Sequence, residues 1–485
     1  MYLTIKNKFY VSKKYYIMIR VTKYILEKWV DDMILAEKKA VSNVEVRKKI
    51  YTMVIPICME NVLQMLAGFI STAMIGWTGA LAVSAMGLSM RITQIVWALF
   101  KGIATGGTVY AAQAYGAQDH KKLRNVIQQT LISSVLFVIG IQQLIFWKTD
   151  FFIGWFNADG ELLEKSLIYL KTVSLGLPFL AIMLVVAGVL QGMGNTKTPM
   201  KIAFIMNIVN ICVSYVLIFG KLGFPSLGII GAAIGTACAQ FVGACIGLYV
   251  LFCKDGILSG LLTTSFLKLD KEKIQEIYRM GMPTAFESIF WQVCTILLTR
   301  LILKFGVESL AAHQLGLQAE AISYMPAAGF SIAATAFVGQ AIGRKDQELG
   351  KKYITEIVKG SIILTSFSVA ILLFLPGKVM GLLTNDAGVI GLGVKYLMLM
   401  AIVQIPQNVA GVLNGALRGA GFTKVPMIVA GTGLWLVRLP FAYLLSLNFG
   451  FNIIGVWLAM TLDLAFRFVL SFILYKRKNI YQYMA

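Results

Sequence analysis

The sequence is poor in charge, in histidine and in paired cysteine. Only 14% of its 485 residues are Asp, Glu, Lys or Arg, against about a quarter in a soluble protein. It holds two histidines, His120 and His313, too few for a typical metal site. Its six cysteines, Cys58, Cys212, Cys238, Cys245, Cys253 and Cys294, lie in or beside apolar stretches, and none makes a C-x-x-C pair. They read as inert buried thiols rather than disulfides or metal ligands. No H-E-x-x-H and no suitably placed G-x-S-x-G occurs, so the chain is expected not to be an enzyme, with no catalytic residues, metal or cofactor. No cleavable signal peptide is visible.

What the chain has in excess is apolar surface. Some 58% of its residues are hydrophobic and the mean hydropathy is +0.75. A membrane span needs about 20 apolar residues. Apolar segments fall at 50–76, 81–112, 122–147, 162–191, 198–220, 228–253, 274–303, 308–337, 350–375, 388–417, 425–447 and 453–475. A lipid-facing backbone must satisfy its own hydrogen bonds, so these segments are predicted to be helices. The fold class is therefore an all-α membrane protein of twelve transmembrane helices.

The formal charge of +21 suggests nucleic acid until the charges are placed. They sit in short gaps between spans, with no basic domain, so the expected surroundings are a lipid bilayer and no nucleic-acid partner. One set of gaps carries Lys121, Lys122 and Arg124, Lys268 to Arg279, Arg344 to Lys352, Arg418 and Lys424, and Lys476 to Lys478. The other set has only Lys148, Lys221, Lys304 and Lys378 near the span ends. The positive-inside rule then puts both termini in the cytoplasm of a multi-pass protein of the cell membrane. Residues 1–49 are basic and Tyr-rich. They are either a cytoplasmic amphipathic extension or an over-long start, with Met18 or Met33 as the true first residue.

A repeat organises the rest. Pro56 and Glu60 match Pro283 and Glu287. Gln113, Gly116 and Asp119 match Gln340, Gly343 and Asp346. Gly192, Gly194, Thr196, Lys197 and Pro199 match Gly419, Gly421, Thr423, Lys424 and Pro426, and every pair is 227 residues apart. Six spans per copy is an even number, so both halves enter the membrane the same way. They form two six-helix bundles related by a pseudo-two-fold axis along the membrane normal, with a cavity between them. The expected parts are an extension 1–49, an N-lobe 50–253, a cytoplasmic linker 254–273, a C-lobe 274–478 and a tail 479–485. Gly116 and Gly343 suit a tight turn, Asp119 and Asp346 cap the next helix, and Pro199 and Pro426 suit a first helical turn.

Three paired signals then resemble one known family. They are the proline-headed spans Pro56–Gly76 and Pro283–Gly306, the stretches A-A-Q-A-Y-G-A-Q-D (Ala111–Asp119) and V-G-Q-A-I-G-R-K-D (Val338–Asp346), and the stretches Q-G-M-G-N-T-K-T-P (Gln191–Pro199) and L-R-G-A-G-F-T-K-V-P (Leu417–Pro426). Together they resemble the multidrug and toxic compound extrusion (MATE) family, prokaryotic type, over residues 47–478. The resemblance implies a secondary antiporter that exports a small-molecule substrate, often an organic cation, drug or toxic metabolite, against protons or sodium by alternating access. The chain departs from the family at two places where many members carry Asp, which here hold Ser71 and Ser214. The acid that some branches carry in the seventh span falls on Trp291, while Glu287 matches branches with Glu four residues after the proline.

Charge inside a bilayer is costly and marks function. The expected cation-coupling acids are Glu287, then Asp463 and Glu320, with Glu60 in the N-lobe. The expected substrate-cavity residues are Gln64 and Ser71 on the first span and Asn207, Asn210 and Ser214 on one face of the fifth. In the C-lobe they are Trp291, Gln292, Thr295 and Thr299, with Arg438. Interhelical hydrogen bonding is the structural alternative for the amides and hydroxyls. Asp463 and Arg467, spaced i and i+4, can pair, with Arg438 as a further partner. The oxygens of Glu287, Thr295 and Thr299 are candidates for sodium. The alternative function is a flippase for a lipid-linked or anionic substrate, favoured if Arg91, Lys101, Arg300, Arg438 and Arg467 face one cavity. The protein is expected to act as a monomer.

Overall fold

The computed structural model describes residues 43–154, 159–254, 256–260, 268–478 and 480. Most of the expected 1–49 extension and 479–485 tail, and part of the linker, lie outside the described residues. The described helices are α1 (Asn43–Gly76), α2 (Ala80–Gly116), α3 (His120–Trp147), α4 (Gly160–Ser174), α5 (Leu177–Gly192), α6 (Lys197–Phe219), α7 (Ile229–Phe252), α8 (Lys271–Leu303), α9 (Val307–Gly343), α10 (Gln347–Phe374), α11 (Ala387–Gly419), α12 (Lys424–Asn448) and α13 (Asn452–Arg477). Short helices Thr149–Gly154 and Pro376–Gly381 follow α3 and α10. Among the described residues, eleven helices are long and apolar enough to cross a membrane, and α4 with α5 makes a twelfth crossing bent by 48°. Pro178 at the start of α5 explains the break, since it has no N–H to continue the ladder from α4. Pro56 and Pro283, expected at span heads, lie well inside α1 and α8.

Lipid offers helices no hydrophobic drive to associate, so close backbone approach and polar contacts must hold them together. The repeat supplies both, crosswise between the lobes. A Cβ on Gly102 of α2 would collide with Ala285 of α8, and one on Gly329 of α9 would crowd Cys58 of α1. Cys58 Sγ donates to the Pro326 carbonyl at 2.9 Å, and Asn61 Nδ2 donates to the Met325 carbonyl at 3.1 Å. A Cβ on Gly116 would overlap the Gln340 carbonyl, and one on Gly343 the Gln113 carbonyl. These glycines were expected to shape turns, but both are the last residues of their helices. The left-handed residues are instead Gln118 (φ 57°) and Lys345 (φ 56°). The repeat keeps Gly at 116 and 343 because two helices cross there. The caps do form: Asp119 accepts from Lys122 N and Asp346 from Leu349 N, both at 2.9 Å.

All these lobe-to-lobe contacts lie toward the helix ends that carry the basic loops. At the other end of the same helices, Gly68, Gly76, Gly79 and Gly306 have nothing within 4 Å of an added Cβ. The close lobe-to-lobe contacts are those of the basic end.

Gly116→Ala should therefore push α2 off α9 and cost about 1–3 kcal/mol, read as a lower Tm in detergent. Gly68→Ala should leave Tm in place. Equal melting of both variants would contradict the crossing.

Candidate functional site

Two glutamines close the joined end. Gln113 Nε2 donates to the Gly419 carbonyl at 3.0 Å, and Gln340 Nε2 donates to the Gly192 carbonyl at 2.8 Å. Each bond runs from one lobe to the other, and the two are 227-residue copies. The residue before each accepting glycine holds an acid. Gln191 Nε2 donates to Glu60 Oε2 at 3.3 Å. Arg418 Nη2 donates to Glu287 Oε1 and Oε2 at 2.8 and 2.7 Å. The repeat thus builds one chain twice: carboxylate, donor, neighbouring carbonyl, glutamine of the opposite lobe. In the first copy the donor is a neutral amide, and in the second a guanidinium.

Arg418 corrects a sequence expectation. It was counted among the loop charges that set topology, yet it ends α11 with its side chain 17% exposed, turned onto a carboxylate of α8. Gln191, Arg418, Tyr396 and Gln404 were all missed as functional residues. The 227-residue offset would have found the first two, since it aligns Gln191 with Arg418 once Glu60 is aligned with Glu287.

The C-lobe holds a second charged cluster. Arg438 Nε and Arg467 Nη2 both donate to Asp463 Oδ2, at 2.7 and 2.8 Å, and Asp463 is fully buried. Both guanidiniums stack on the Trp291 ring, 4.6 and 5.0 Å from its centre. Local backbone makes this possible. A Cβ at Gly433 would overlap Asp463 Oδ1 and crowd Arg467, so α12 approaches α13 closely only with glycine there. Residues Gly433–Arg438 are wound as π-helix just before Pro440, where the ring cannot fit the preceding carbonyls of a regular α-helix.

Glu320 sits apart from the arginines by hydrogen bonding. Tyr396 Oη donates to its Oε2 at 2.5 Å and Gln404 Nε2 to its Oε1 at 2.7 Å. Trp457 Nε1 donates to His313 Nδ1 at 3.3 Å beside the Tyr396 ring. One cavity of about 310 Å³ is lined by Trp291, Thr295, His313, Glu320, Tyr324, Gln407 and Arg438. A smaller one of about 150 Å³ is lined by Glu287, Trp291, Gln407, Asn414, Arg418 and Arg467.

Of the expected residues, the structure brings Glu287, Asp463, Glu320, Trp291, Thr295 and Arg438 into this C-lobe region. Gln292 and Thr299 line neither cavity. Thr295 and Thr299 donate to the carbonyls of Trp291 and Thr295 on their own helix, and both Glu287 oxygens are taken by Arg418. Glu287 lines the smaller cavity, Thr295 the larger and Thr299 neither, so the oxygens considered for sodium do not share one cavity. In the N-lobe, Ser71 Oγ donates to Asn210 Oδ1 at 3.0 Å and Asn210 Nδ2 to Thr236 Oγ1 at 3.2 Å. Ser214 is buried where Gly235 leaves room for its hydroxyl, and Asn207 Nδ2 is buried without a partner. Gln64 is exposed. Arg91 and Arg300 are exposed and Lys101 lies 4.6 Å over the Trp97 ring; none of the three lines the cavities that hold Arg438 and Arg467.

Comparison with known proteins agrees with this architecture. Residues 56–216 and 283–444 each match the model of the MatE family. The probable multidrug resistance protein NorM of Thermotoga maritima is 33% identical, over 89% of this chain and 92% of its own length. The uncharacterized transporter YisQ of Bacillus subtilis is 24% identical, over 88% of this chain and 93% of its own. A solved structure of a multidrug resistance MATE family transporter of the MOP superfamily, in an outward-facing conformation, superposes with a TM-score of 0.83 at 20% identity, covering 91% of this chain and 98% of that one.

Asp463→Asn should strand two buried guanidiniums and destabilise the protein by about 3–5 kcal/mol. Glu161→Gln, which removes the exposed pair with Lys165, should cost no more than about 1 kcal/mol. Thermal unfolding in detergent separates the two, and similar shifts would argue against a buried cluster.

Proposed function

Since the chain belongs to the MatE family, whose members are secondary active transporters of small molecules working by alternating access, we propose that it is a proton-coupled antiporter that exports its substrate across the cell membrane. The observation that carries this reading is the doubled chain from acid to gate. Glu60 and Glu287 each hold the residue next to a carbonyl that receives the other lobe's glutamine. Protonating Glu287 removes the charge that anchors Arg418. Arg418 and Gly419 are adjacent in the chain, so releasing one loosens the other's bond to Gln113. Protonating Glu60 acts in the same way on Gln191 and Gly192.

The basic loops support a cytoplasmic position for the joined end and for both termini. On that orientation the joined end faces the cytoplasm. A proton suits these sites better than sodium. Sodium needs several converging oxygens, whereas the neighbours of Glu287 and Asp463 are guanidiniums and that of Glu60 is an amide. Asp463 and Glu320 are further proton acceptors in the C-lobe. The lobes 50–253 and 274–478 move against each other about the linker, in a protein that acts as a monomer.

Proteoliposomes test the coupling. An imposed proton gradient should drive substrate exchange by the wild type, and Glu287→Gln should lower that flux at least tenfold while substrate still binds. If a sodium gradient alone drives exchange, the coupling ion is sodium. If Glu287→Gln transports like wild type, the gate does not run through that acid.

A further inference from the structure

The larger C-lobe cavity is lined by one unpartnered charged donor, on Arg438, and one unpartnered amide oxygen, on Gln407. Arg438 lines it and is 2% exposed, yet its Nη2 has no hydrogen-bond partner. The guanidinium is fixed from behind: Nε is tied to Asp463 and the plane is stacked on Trp291. The free Nη2 is therefore a preset donor, and a buried charged donor without a partner is costly. Arg467 Nε and Arg418 Nε are likewise unpartnered, and their side chains line the adjoining smaller cavity. The one acid on the larger cavity's wall is Glu320. Its two oxygens each accept one hydrogen bond, from Tyr396 and Gln404. Aromatic rings of Trp291, Tyr324 and His313 complete the wall of about 310 Å³, a size that houses a small organic molecule.

We propose that this cavity binds the carboxylate of a small aromatic organic anion, held by Arg438 and stacked among Trp291, Tyr324 and His313. The proposal names the substrate class of the antiport described above and rests on that reading. It replaces the organic cation that the family resemblance implied for this chain. Asp463 serves here as a positioning residue: it holds Arg438 through Nε and leaves Nη2 for the ligand.

Binding to the purified protein, with no gradient present, separates this proposal from the transport reading. Titration calorimetry with benzoate should show binding at least tenfold tighter than with benzylammonium, a cation of similar shape. Arg438→Gln should weaken benzoate at least tenfold. Should that variant fail to fold, Arg438→Lys gives a second test: it keeps the charge but loses the planar fork tied to Asp463 and stacked on Trp291, and should still weaken benzoate severalfold. Preferred binding of benzylammonium would overturn the proposal, as would a benzoate affinity that neither variant changes. Chloride competing as well as benzoate would make the site one for inorganic anions, which also overturns it. Benzoate binding without gradient-driven flux of any substrate would instead remove the antiport reading.

Discussion

One pair of repeat-related hydrogen bonds ties the lobes: Gln113 to the Gly419 carbonyl and Gln340 to the Gly192 carbonyl. In lipid, helices gain nothing by hiding apolar faces from each other. A lobe contact must come from close backbone approach and from polar pairs. The repeat provides glycine at 116 and 343 for the approach and glutamine at 113 and 340 for the pairs. Because these are copies, the two halves of the contact form or break as equivalents. The acids gain their leverage by sitting one residue away, through Gln191 and Arg418.

Equivalence ends at the donors. Glu60 meets an amide, while Glu287 meets a guanidinium. A charge-assisted bond is roughly twice as strong as a neutral one, so the C-lobe latch is the firmer of the two. The C-lobe is also where the chain concentrates buried ionisable groups, with Asp463 between two arginines and Glu320 between a tyrosine and an amide. The N-lobe holds serine at 71 and 214, and Ser71 and Asn210 simply bond each other. One lobe carries the charged chemistry and the other the neutral half of the gate.

The fold was legible because a membrane leaves few choices. Apolar length gave the spans and the 227-residue offset gave the two bundles. The offset also marked the right glycines, though for the wrong reason. A turn and a helix crossing both select glycine, and one sequence does not tell them apart. Arg418 was hidden because lysine and arginine at span ends ordinarily report topology. The partners of Glu320 come from α11, and neither a spacing nor a repeat links Tyr396 or Gln404 to α9. Asp463 with Arg467 was readable, since i and i+4 on one helix fixes their proximity. The π-wound turn that brings Arg438 to the same oxygen leaves only Pro440 as its sequence trace.

The central claim is that two carboxylates hold the joined end shut. Spin labels at Lys122→Cys and Glu348→Cys, in a background free of the six native cysteines, report the distance between the lobes at that end. Pulsed electron resonance on the reconstituted protein should give one short distance for the wild type at high pH. In a Glu60→Gln, Glu287→Gln double variant a longer distance should appear at the same pH, with the wild type reaching it only on acidification. A double variant whose distances match the wild type at every pH would contradict the account.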